Sequence, residues 1–144
     1  MQTVTITDIN TEDVPRLWPF VSAQMERALR HGVGDYTIED LYQNLTRGQM
    51  RLWIAYSAGE ILASAACQIV RQAHESVCYL VTLAGEDMDV WEHGLQCIED
   101  WASANGAVKM IAHTRKGLAK RCKAFGYQER QIIIQKPLVA RILH

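Results

Sequence analysis

The spacing of apolar positions along this chain changes several times, and each change marks an element. Thr3 to Thr7 alternates polar and apolar side chains in the manner of a half-buried strand. Asp8-Ile9-Asn10-Thr11 then offers helix-capping side chains followed by acidic residues, which predicts a helix starting near Thr11. Leu17, Phe20, Val21, Ala28 and Leu29 recur at helical spacing, Pro15 is tolerated in the first turn, and Gly32-Val33-Gly34 ends the element. A second, short helix is expected over Ile38 to Thr46, with Leu41, Tyr42 and Leu45 on one side and Gly48 closing it.

Beyond Gly48 the pattern becomes that of strands. Leu52 to Tyr56 and Ile61 to Val70 flank the turn Ser57-Ala58-Gly59-Glu60 and read as a hairpin. After the polar stretch from Arg71 to Ser76, Val77 to Leu83 is a continuous apolar run of the kind buried on both faces, which puts the centre of a sheet here. A helix capped near Asp89 follows, with Trp91, Leu95, Ile98, Trp101 and Ala102 at helical spacing, stopped by Asn105-Gly106. Val108 to Ala112 is the next expected strand, Lys116 to Phe125 a helix, and Gly126 turns into a last strand from Gln131 to Gln135. This order predicts an α/β fold with a mixed central sheet of about six strands and four helices. With no repeat and no linker, residues 1–144 read as a single domain.

Composition narrows the classes of function. The chain is 49% apolar and 22% charged, and 15 basic against 16 acidic residues leave a formal charge of -1. No global field selects nucleic acid or an anionic membrane, so nucleic acid is disfavoured as a partner. Cys67, Cys78, Cys97 and Cys122 form no CxxC pair and no cluster with histidine, which excludes a zinc site and leaves no metal to assign. They read as reduced thiols of a cytoplasmic protein. The apolar run from Ile61 to Val70 is too short and too interrupted to span a bilayer.

Three local patterns, in this order, resemble the GNAT family of acyl-CoA N-acyltransferases over roughly Thr3 to Lys136. They are the hairpin from Leu52 to Ala65, the strand-loop-helix from Val77 to Ala104, and the helix end Ala119-Lys120-Arg121-Cys122-Lys123-Ala124-Phe125-Gly126-Tyr127. The resemblance implies that acyl-CoA lies across splayed central strands with its pyrophosphate on the N-terminus of the third helix, while an amine attacks the thioester. Backbone amides of Leu83, Gly85 and Met88 are then the cofactor-binding groups. Lys116, within the basic run of Arg115, Lys120, Arg121 and Lys123, would face the 3′-phosphate, although a solvated helix face also accounts for these cations.

The same resemblance exposes departures. The loop Leu83-Ala84-Gly85-Glu86-Asp87-Met88-Asp89 keeps one glycine and sets three carboxylates where a pyrophosphate would arrive; acidic residues also stabilise a first helical turn without any ligand. Cys122 occupies the register in which the family carries its tyrosine acid, with Tyr127 and Tyr79 as possible substitutes. No carboxylate or histidine lies within Val77 to Leu83, so Glu75 and His74 are the nearest candidate bases. The chain is also similar to degenerate GNAT-like phage proteins, among them small internal virion proteins. These departures favour a non-catalytic binding or virion-associated role with a protein partner and no cofactor. The alternative is an acetyl-CoA-dependent N-acyltransferase acting on a small amine. Apolar residues in Pro137 to His144 predict docking of this segment on its own domain or in a homo-oligomer.

Overall fold

The computed structural model describes residues 3–31, 36–85, 89–114 and 116–139. Among the described residues five strands form one mixed sheet in sequential order: β1 (Thr5–Ile9), β2 (Arg51–Ser57), β3 (Glu60–Arg71), β4 (Ser76–Gly85) and β5 (Ala107–Ile111). The first four are antiparallel neighbours, and β5 runs parallel to β4. The helices are α1 (Val14–Arg30), α2 (Ile38–Thr46), α3 (Asp89–Ala104) and α4 (Lys116–Cys122). This is the expected α/β architecture with four helices, and β3 rather than β4 stands in the middle of the sheet.

Strand alternation divides the core into two layers. Trp53, Ala55, Ala65, Cys67, Cys78 and Leu80 pack with Trp91, Leu95 and Ile98 of α3. Leu52, Ile54, Ala66 and Ala84 face the opposite way, against Val21 and Met25 of α1 and Leu41 and Leu45 of α2. The small residues at 63, 65, 66 and 84, all buried, let helices lie close to the sheet. A capping box starts α2: Thr37 Oγ1 accepts from the Asp40 amide, and the Thr37 amide donates to Asp40 Oδ2, each at 3.1 Å. Asn105 and Gly106, the latter at φ +93°, end α3 as expected.

Three expectations need correction. A 3-10 turn over Thr11–Asp13 precedes α1, and the helix carries Pro19 in its interior as well as Pro15 at its start. It continues past Pro19 because Val21 and Met25 are wholly buried, and tertiary packing outweighs one missing backbone bond. The helix expected to reach Phe125 ends at Cys122 and passes through a 3-10 turn, Lys123–Phe125, into Gly126 at φ +92°. The strand expected from Gln131 to Gln135 is absent: these residues have no regular structure, are exposed and pair with no strand among the described residues. β propensity makes a segment competent for pairing, but a strand exists only where a partner edge is in register. Met88 and residues 140–144, to which the sequence assigns cofactor-binding and docking roles, lie outside the described residues.

Candidate functional site

The central feature is a divergence of two parallel strands. β5 pairs with β4 only at Ser76, Cys78 and Tyr79, and then leaves it. From Leu80 to Gly85, β4 has no strand on that side among the described residues. A bulge coincides with the point of divergence: on the β3 side Ala66 faces Thr82 and Cys67 faces Leu80, which leaves Val81 as the extra residue. The bulge turns Val81 and Thr82 successively towards the α1 layer, since Thr82 lies opposite Ala66 and Ala84 opposite Ser64.

A cleft of about 2380 Å³ occupies the divergence. Its floor is β4 from Tyr79 to Gly85, one wall is β5 with α4, and the end of α1 overhangs the other side with Gln24, Arg27 and His31. Unpaired backbone groups along an extended strand need partners, from water or from a ligand with matching amides. Thr82 adds a second unmet demand. It is buried, and its hydroxyl has no hydrogen-bond partner among the described residues. Nearby Ser64, also buried, donates to Gln24 Oε1 at 2.5 Å and so ties α1 to β3 beside the cleft.

Gly85 closes the floor. Its φ is +121°, and a Cβ there would lie 2.8 Å from Ala63 Cβ and 3.0 Å from both Ala63 Cα and the Leu62 carbonyl oxygen. Glycine is therefore required twice, once by backbone conformation and once by the close approach of β3. Behind it, the Trp91 indole donates to the Ala84 carbonyl at 3.2 Å, fixing the start of α3 against the end of β4.

The sequence-derived candidates fall into two groups. Leu83, Gly85, Lys116, Cys122 and Tyr127 all line the cleft. Cys122 is buried, and burial pushes its thiol up; the Tyr127 amide donates to the Cys122 carbonyl at 3.2 Å. Tyr127 Oη donates to Glu99 Oε2 at 3.0 Å, and burial, then the Glu99 carboxylate, hold its phenol well above the usual range. Glu75 is not brought to this group. It sits before β4 in an ion pair with Lys109 at 2.7 Å, and eight residue steps along the strand, about 26 Å, separate it from Leu83. His74 is exposed in the same turn. Tyr79 does line the cleft, with its ring edge-on to His113 at 5.7 Å.

Cleft residues that sequence reasoning missed are Val81 as a bulge, Thr82 as a buried orphan hydroxyl, Arg27 of α1 and His31 at that helix's C-cap. Nothing local signals the first two, because Val77 to Leu83 is a uniform run of strand formers with no glycine.

This geometry makes two expectations measurable. Replacing Cys122 by alanine removes a small buried group, so a loss of about 1–2 kcal/mol in chemical denaturation is expected; an unchanged midpoint contradicts the packing role. For Tyr127 the folded state holds the phenol proton more tightly than the unfolded chain does. Its contribution is complete below the unfolded phenol range near pH 10 and is lost as pH rises above that. Melting temperatures of the Tyr127→Phe protein should therefore fall less steeply between about pH 10 and 11.5 than those of the parent, and equal slopes would refute the assignment.

No protein-family model and no curated protein matches the sequence. Solved structures do match the fold. An aminoglycoside acetyltransferase from an uncultured soil metagenomic sample, solved with sisomicin, superposes with a TM-score of 0.72 at 11% identity over 94% of this chain and 96% of that one. Aminoglycoside N-acetyltransferase AAC(6')-Iy in complex with CoA gives 0.72 at 14% identity, with 96% of each chain covered. A predicted acetyltransferase with acetyl-CoA from Clostridium acetobutylicum gives 0.68 at 16% identity, over 94% of this chain and 96% of that one.

Proposed function

Given that this chain has the GNAT acetyltransferase fold, we propose that it is an acyl-CoA-dependent N-acyltransferase acting on a small amine. The observation that carries this reading is the open edge of β4 from Leu80 to Gly85 over a cleft of about 2380 Å³. A chain that kept the fold only as a scaffold gains nothing from that opening. Unpaired strand edges are a hazard for association, and closing this one by continuing β5 would add backbone bonds and bury more apolar surface. An acyl-CoA supplies what the edge lacks, an extended arm with amides that can pair along a strand.

In this reading backbone groups of Leu83 and Gly85, with Met88, hold the cofactor, and Lys116 and Arg121 on the α4 side meet its phosphates. Three acidic residues in the loop lower the affinity for an anionic ligand, so the dissociation constant falls at the weak end for such a site. Cys122, whose thiol burial pushes up, is the proton donor for the leaving thiolate. Tyr127 is committed to Glu99 and positions the Cys122 backbone. His31, at the α1 end of the cleft, takes the proton released by the attacking amine. Arg27 beside it makes no ion pair among the described residues. That end of the cleft suits an amine bearing a carboxylate or phosphate better than a polycation.

Thermal shift with acetyl-CoA is the direct test. At about a hundredfold excess over the dissociation constant a ligand stabilises the folded state by about 2.7 kcal/mol, visible as a clear rise in melting temperature. Release of CoA thiol should then follow with small acidic amines and not with an aminoglycoside. No shift at millimolar acetyl-CoA would overturn the reading and leave the binding-protein role standing.

A further inference from the structure

Most of the large exposed apolar side chains among the described residues lie in the segment that follows Tyr127. Ile132, Ile134, Leu138 and Val139 are 88–91% exposed and Ile133 is 52% exposed, in a stretch without regular structure. Three consecutive isoleucines present apolar groups on both faces of an extended chain, a pattern that belongs to a strand covered on both sides. Gln131 and Gln135, both uncharged, bracket them. A segment of this composition left open is a site of strand pairing.

Its sequence also says with what. Gln131-Ile132-Ile133-Ile134-Gln135 reads the same in both directions. Antiparallel pairing with an identical segment, about a two-fold axis at Ile133, sets Ile132 against the partner's Ile134 and Gln131 against the partner's Gln135. Every pair is then like with like, apolar on apolar and amide on amide. The next pair outward sets Arg130 against the partner's Lys136, and like charges facing each other end the ladder there. Self-complementarity about a two-fold is the requirement of an isologous dimer.

We propose that this protein forms a two-fold homodimer in which residues 131–135 of the two copies pair antiparallel about Ile133. Five residues from each copy make the ladder, and the exposed Leu138 and Val139 just beyond it add apolar area that a dimer can bury. Because residues 128–133 line the cleft, the pairing also fixes one wall of it. The proposal is independent of whether the cleft binds acyl-CoA.

A charge exchange on the axis tests it. The parent protein should run in light scattering at twice the 16.3 kDa chain mass. Ile133→Lys places two ammonium groups opposite each other and Ile133→Glu two carboxylates, so each variant alone should be monomeric. Their equimolar mixture should recover the dimer as a heterodimer, which a merely misfolded variant cannot do. A monomeric parent at about 100 μM, a dimer indifferent to both substitutions, or a mixture that stays monomeric would each overturn the proposal. A monomeric parent whose Ile133→Lys form melts lower would instead show the segment docked on its own chain.

Discussion

Replacing Trp91 by alanine is expected to lower the unfolding free energy by about 3–5 kcal/mol, a large share of the roughly 5–15 kcal/mol that holds a domain of this size together. The indole is wholly buried, and its hydrogen bond to the Ala84 carbonyl spans the junction between α3 and the end of β4. It also lies over Gly94, where a Cβ would come within 2.6 Å of the ring. The two positions are therefore coupled, and the coupling has a sign that can be checked. Gly94→Ala alone should destabilise, because the ring cannot retreat from a fully packed layer. In the Trp91→Ala background the same substitution should stabilise by about 1 kcal/mol, since alanine is the better helix former and its methyl enters vacated space. Urea denaturation of the four proteins closes the cycle. Additive effects would show that the ring does not pack on Gly94.

The second large effect is expected at Gly85. Gly85→Ala should cost about 2–4 kcal/mol, from a strained backbone at φ +121° and from overlap with Ala63 across the strand pair. Ala63→Gly in the same protein removes the 2.8 Å contact but neither the 3.0 Å approach to backbone nor the dihedral strain, so it should restore only part of the loss. Full rescue would show that the dihedral is not limiting. If the cleft binds acetyl-CoA as proposed, Gly85→Ala should also abolish the cofactor-induced rise in melting temperature under conditions where the variant remains folded, because the end of β4 would have moved.

Much of the candidate site is legible in the sequence. Leu83, Gly85, Lys116, Cys122 and Tyr127 each stand out by position in a pattern, and all five line one cleft. Glu75 stands out by chemistry alone, as the nearest carboxylate to the central strand, and it is not part of that cleft's far end. Separation in sequence along an extended chain is distance in space, and Lys109 holds Glu75 at the opposite end of β4. Arg27 and His31 escape sequence reasoning for the converse reason. They lie at the end of a helix about fifty residues earlier, and only the crossing of α1 over the sheet brings them to the edge of β4.

What the sequence determined by itself is the succession of elements: where the period is two, where it is near 3.6, and where Gly48, Asn105-Gly106 and Gly126 interrupt it, because these depend on local backbone preference and on which face must be buried. Tertiary structure alone decided where strands part. The bulge at Val81, the departure of β5 after Tyr79 and the unpaired state of Gln131 to Gln135 are properties of pairs of segments, and a pairing register is a choice among partners that no single segment encodes. The cleft exists because of those choices.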